Sequence, residues 1–216
     1  MATNDGFQRA RSAEAKAGRE QAILDAAAAL GRERGIRTVT LTEIADAIGM
    51  HKSALLRYFE TREQIFLRLT AAAWSEWVDA VLAALGSTPA TPEGVARVLA
   101  DSLAARPLFC DMLAQAPLNL ERNVSFESVR AFKIETLGNV ARAGGELSRL
   151  LGVTAEQAGD IVAAATSLAG ALWQMATPGP ELAELYRTEP GLSHALVDLG
   201  PRLARIITPL IAGMRA

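Results

Sequence analysis

Residues 40–59, TLTEIADAIGMHKSALLRYF, decide how this chain folds. Two short helical patterns meet there at Gly49. Thr40 can cap the first, and Glu43, three residues on, can close a capping box. Ile44, Ala45 and Ile48 then form one apolar face at helical spacing. Gly49 stands where the chain must turn sharply, and Met50 can plug the corner. The second pattern carries Leu55, Leu56 and Phe59 on its apolar side. His51, Lys52, Ser53, Arg57 and Tyr58 are left for another face. Such a pair is a helix-turn-helix or an ordinary helical corner, and periodicity alone does not separate the two.

The flanks do separate them. AILDAAAALGRERG (22–35), TVTLTEIADAIGM (38–50) and ALLRYFETREQIF (54–66) together resemble the DNA-binding domain of the tetracycline-repressor (TetR) family of transcriptional regulators. The most specific part is the pattern L-x-R-Y-F-x-x-(K/R)-E-x-(I/L)-F ending at Phe66. The resemblance implies an all-α protein with a three-helix N-terminal unit over 18–69 and a C-terminal helical regulatory and dimerisation unit over 70–216. Residues 1–17 read as a disordered tail, small, polar and without periodicity.

A helix that enters a DNA groove needs donors at its first turn and cations along its sides. The residues expected to face DNA are Thr40, Thr42, His51, Lys52, Ser53, Arg57, Tyr58 and Arg62. Tyr58 matches a family position that bonds the DNA backbone, and Arg62 matches the family's Lys at the start of the fourth helix. Arg9, Arg11 and Lys16 are further candidates for phosphate contact. Two departures weaken the pattern. Ala54-Leu55-Leu56 stands where the family usually has Thr-Leu-Tyr, and His51 replaces a common Ser. Gly31 also sits where many relatives carry Phe, so another side chain must fill that volume.

Bulk properties agree with a helical protein. The chain has 216 residues, half of them hydrophobic and only 5% aromatic, with a net charge of −2. Through Leu69 it holds 11 Lys+Arg and 9 Asp+Glu, and the remainder holds 11 and 15. That mild asymmetry is compatible with a DNA-facing N-terminal part. The single cysteine, Cys110, excludes an intrachain disulfide. The first residues lack the apolar core of a signal peptide. The uncharged run 161–180 is interrupted by Thr166, Ser167 and Gln174 and is too short to span a bilayer. A cytoplasmic location, with no membrane contact, is expected.

Further helices follow in order. A long one from the second capping box, Thr61/Gln64, reaches Leu85. Thr91 and Pro92 restart the chain, and Pro107 and Pro117 bracket a short helix. Another runs from Ser125 to Leu151 and ends at Gly152. A third capping box, Thr154/Gln157, opens an apolar helix to Met175, and a last helix spans 193–214, with Pro201 and Pro209 expected to bend it. By the resemblance, the helices 154–175 and 193–214 pair with those of a second subunit. The resemblance also implies a pocket for a small-molecule effector, here apolar or aromatic. Its candidate lining is Trp74, Trp77, Phe109, Cys110, Met112, Phe126, Phe132 and Trp173, all of which can equally be core.

The function expected is a ligand-released homodimeric repressor bound to an inverted-repeat operator in double-stranded DNA. It calls for no metal or cofactor. The rivals are an adaptor that uses the same fold without DNA, and a helical enzyme. No G-x-S-x-G, phosphate loop, G-x-G-x-x-G or metal-spaced Cys/His cluster supports the enzyme.

Overall fold

The computed structural model describes residues 3–189, 191–192 and 197–215, with side chains described from residue 14 onward. Among the described residues there are ten α-helices and no strand. The helices are α1 (Thr3–Arg34), α2 (Leu41–Ala47), α3 (Lys52–Leu55), α4 (Arg62–Leu85), α5 (Pro92–Ala104), α6 (Pro107–Gln115), α7 (Phe126–Leu151), α8 (Ala155–Ala176), α9 (Pro180–Thr188) and α10 (Leu199–Met214). No helix among these residues is long and apolar enough to cross a membrane.

The N-terminal unit packs α1, α2, α3 and the start of α4 around Ile23, Ile36, Ile44, Leu55 and Ile65, all fully buried. The expected caps hold its ends. The Thr40 hydroxyl accepts from the Glu43 N–H, and Glu43 accepts in return from the Thr40 N–H. Gly35 leaves α1 at φ 81°, and Gly49 makes the corner at φ 64°, a region that side chains avoid. At α4 the box is only half formed. Thr61 accepts from the Gln64 N–H, but the Gln64 side chain reaches back to the Glu60 N–H instead.

Two expectations are corrected, at Leu56 and at the start of the last helix. In addition, α1 runs back to Thr3 through the segment expected as a tail; residues 1 and 2 lie outside the described residues. Ala, Lys, Arg and Glu dominate that segment, and they extend a helix already nucleated further on. Leu56 is exposed rather than buried. Leu55 and Phe59 lie four apart and share the buried face, whereas Leu56 is turned about 100° away. The last helix begins at Leu199, after a non-helical Val197-Asp198; the expected start at Ser193 lies outside the described residues.

The C-terminal body packs α10 against α5 and α8, and α8 against α6 and α7. Close approach is set by small residues. A Cβ on Gly170 of α8 would sit 2.9 Å from the Ala114 backbone nitrogen in α6. Gly170 therefore serves the α6–α8 contact within one chain.

Body and N-terminal unit meet along α6. A Cβ on Gly31 would lie 3.0 Å from Leu108 Cδ1 and 3.1 Å from Ile36 Cγ2. Leu108 thus supplies the volume missing at Gly31. Phe at position 31 would overpack this joint. The variant Gly31→Phe is expected to lose about 1–3 kcal/mol, and adding Leu108→Ala should return much of that loss. Urea unfolding of both singles and the double measures the coupling.

Candidate DNA interface and effector cleft

The second helix of the corner is short. Lys52–Leu55 is α-helical and its turns continue to Tyr58, with Leu56 N–H bonding Lys52 O at 3.1 Å and Phe59 N–H bonding Leu55 O at 3.2 Å. His51 occupies its N-cap position without a side-chain hydrogen bond, as a poor capping residue should. Burial of Leu55 and Phe59 turns the opposite side outward. His51, Lys52, Ser53, Leu56 and Arg57 are all exposed. Thr42, one helix earlier, is exposed as well. Alongside, Lys16 and Arg19 of α1 join Arg57 and the half-buried Tyr58 in a shallow basic groove. Arg19 was not among the expected residues; its signal is its place at the outer edge of the same unit.

Two of the residues expected to face DNA are committed within the protein. The Thr40 hydroxyl donates to Glu43 Oε2 at 2.7 Å, so it serves the cap. Glu43 gathers that hydroxyl, the Thr40 N–H and the Arg34 guanidinium, which hold its carboxyl below the usual carboxylate range. The stabilisation is complete at neutral pH and is lost as the pH falls through that lowered value. Arg62 is the more fully engaged of the two. Its guanidinium donates to the Ile36 carbonyl, pairs with Glu63, and lies 5.1 Å from the Phe66 ring centroid. Only 19% of the side chain is exposed. It braces α4 against the turn after α1.

Two ties fix this unit to the body. Asp111 of α6, which is buried, accepts the Ile36 N–H at 2.8 Å and the Gln174 side-chain amide of α8 at 2.9 Å. Glu60 accepts the Ser125 N–H at 2.8 Å and the Ser128 hydroxyl at 2.9 Å, both at the start of α7. Those donors, the Ser125 N–H foremost, lower the Glu60 pKa. The lone acid in the apolar run LFCDML (108–113) was the available signal for Asp111.

The eight residues expected to line an effector pocket do not all line one space. Trp74, Trp77 and Phe109 form a packed aromatic cluster, with Trp74 edge-on to the other two at centroid distances of 5.4 and 5.6 Å. Trp77 donates its indole N–H to Ser102 at 2.9 Å. Cys110 is fully buried, and burial pushes its thiol up to about 12. Phe132 is buried, and Phe126 is 95% exposed at the start of α7. The space instead opens at the joint, as a cleft of about 910 Å³ between the end of α1 and the helices α6 and α8. Phe109, Met112 and Trp173 are the members of the expected set that line it. No three His, Cys, Asp or Glu side chains among the described residues are grouped to hold a metal ion.

Comparison with known proteins places this geometry. Residues 71–216 match the family described as tetracyclin repressor-like, C-terminal domain, and residues 23–69 match bacterial regulatory proteins, tetR family. Over 50 residues the chain is 42% identical to the HTH-type transcriptional repressor KstR2 of Rhodococcus jostii (strain RHA1). That match covers 23% of this chain and 24% of the relative, so it spans about a quarter of the relative's length. Among solved structures, the fatty acid degradation regulator FadR of Bacillus halodurans superposes with a TM-score of 0.58 at 15% identity, covering 90% of this chain and 94% of that one. A TetR/AcrR-family regulator of Thermobifida fusca YX-ER1 gives 0.54 at 19% identity, covering 92% and 100%. At those identities the two structures show a shared fold.

The contrast between Arg62 and Lys52 is measurable. Arg62→Ala removes a charged donor from the Ile36 carbonyl and should cost about 1.5–3 kcal/mol of stability. Lys52→Ala, on an exposed side chain, should leave the urea midpoint unmoved. Equal midpoints for the two variants would overturn the bracing role.

Proposed function

The chain belongs to the tetracycline-repressor family, and on that footing we propose that it is a homodimeric repressor that reads an inverted-repeat DNA site and is released by a small-molecule effector. The observation that carries the reading is the exposed row on and beside α3. Lys52, Ser53, Leu56 and Arg57 are exposed, and among the described residues neither Lys52 nor Arg57 forms an ion pair. Surface cations without acidic neighbours suit a polyanion. Lys52 and Ser53 stand at the first turn, where base edges are within reach, and Leu56 can meet a thymine methyl group. Lys16, Arg19, Arg57 and Tyr58 suit the flanking phosphates. His51 and Thr42 add donors at the edges of the row.

In this reading residues 18–69 form the reading head and 70–216 the regulatory body, with α1 extending the head's basic edge. The dimer uses α8 and α10. An outward stripe of α8 carries Ala163, Ser167, Ala171 and Met175, all exposed, and Ile206 of α10 is exposed too. Small side chains at four-residue spacing let a second helix approach closely. A two-fold dimer presents two copies of α3 and so requires a two-fold DNA site, with half-sites about 34–36 Å apart. Nothing in this reading needs a catalytic group, and the work takes place in the cytoplasm where the DNA is.

Gel-shift titration against DNA from upstream of its own gene tests the proposal. Lys52→Ala with Arg57→Ala should weaken binding at least about tenfold and flatten the dependence on salt, by about 0.9 in log–log slope for each phosphate no longer neutralised. Affinity and salt slope unchanged in the double variant, with helicity intact, would refute it.

A further inference from the structure

We infer that the cleft at the head–body joint is a binding site for an amphiphilic anion, with its carboxylate or phosphate held between Arg37 and Arg106 and its apolar part laid on Leu108 and Trp173. The cleft's volume of about 910 Å³ suits a molecule of drug or metabolite size. One wall is apolar: Leu108 and Trp173 are half-buried there, and Phe109 and Met112, which also line it, are buried.

The charged lining is where selectivity arises. Arg32, Arg34, Arg37 and Arg106 line the cleft with Glu33, Glu76 and Asp111. Several of these charges are committed. Arg34 is bound to Glu43 at 2.7 Å. Asp111 spends one oxygen on the Ile36 N–H and the other on the Gln174 amide. The Arg32 and Arg37 side chains form neither an ion pair nor a hydrogen bond among the described residues, and both are exposed. Arg106 donates one terminal N–H to the Ser102 carbonyl at 2.9 Å. Its Nε–H is buried without a hydrogen-bond partner, and the nearest carboxylate, Glu76, lies 3.6 Å off with a side chain 76% exposed to water.

The Arg106–Glu76 pair is loose and its carboxylate largely in water, so a ligand anion can compete for the guanidinium. A planar carboxylate or a phosphate is the acceptor that a guanidinium binds best. The first turn of α6 has no side-chain cap, so its opening N–H groups add positive potential at the same end of the cleft. A neutral apolar ligand would use the floor and leave this edge unsatisfied.

Such a ligand touches both sides of the joint. Arg37 belongs to the turn after α1, and Arg106 begins α6. An anion that draws the two together acts on the same α6–turn contact that Asp111 and Ile36 hold. Binding as such stands on the cleft alone; its effect on DNA rests on the regulator reading.

The test uses the full chain with octanoate, octyl phosphate and octanol, followed by thermal shift and by tryptophan fluorescence, since Trp173 is the tryptophan that lines the cleft. The anions should raise Tm and perturb the fluorescence at concentrations at least about tenfold lower than octanol. Arg37→Met with Arg106→Met should erase that preference with helicity retained. Should the double variant fail to fold, Arg37→Met alone, at an exposed position, should still weaken anion binding several-fold. Trp173→Phe should remove the optical signal and keep the thermal shift. Equal responses to octanol and the anions, no response to either anion, or an undiminished preference in the arginine variants would overturn the inference. Anion binding by a chain that binds no DNA would sink the regulator reading alone; DNA binding with no anion binding would sink this one alone.

Discussion

One buried carboxylate sets the position of the DNA-facing unit. Asp111 is 7% exposed, and a charge taken that far from water is tolerable only with its oxygens satisfied. Its two donors come from different places, the Ile36 N–H beside the end of α1 and the Gln174 amide on α8. Letting either go leaves a charge and a donor buried together, at a cost of a few kcal/mol. The α6 helix therefore cannot shift without choosing between the head and α8. Asp111 is thus a residue shared by the head, α6 and α8.

The rest of the joint is arranged around that bond. Leu108, three residues before Asp111, enters the space left by Gly31. Arg62 holds the carbonyl of the same Ile36 whose N–H Asp111 takes, so one peptide turn is gripped from both sides. Glu60 and Gln64 tie the far edge of the head to Ser125 and Ser128 on α7. The head is held at two places, by α6 and by α7, with α4 running between them.

What could be read from the chain was local, and what could not was distant. Thr40 with Glu43, Thr91 with Pro92, and Thr154 with Gln157 declare helix starts within four residues, and the structure places caps at all three. Gly35 and Gly152 mark helix ends through backbone conformations that side chains resist. The turn at Gly49 and the exposure of His51, Lys52, Ser53 and Arg57 follow from spacing, whereas that of Leu56 did not. Arg62 defeated the same method because its partner, the Ile36 carbonyl, lies 26 residues away. The lining residues failed for a related reason. Large apolar side chains fill cores and line cavities alike, and composition does not tell which; Trp74, Trp77 and Phe109 fill one another's space. The empty volume formed where two packed units meet imperfectly, a property of neither segment alone.

The sealed thiol has a practical consequence. Cys110 is the chain's single cysteine, and burial keeps it protonated and unreactive at neutral pH. A cysteine introduced at an exposed site on either the head or the body is then the one position that takes a maleimide or nitroxide label, with no native residue removed first. Pulsed electron resonance or energy transfer between two such labels can follow the angle between head and body in the otherwise unaltered chain.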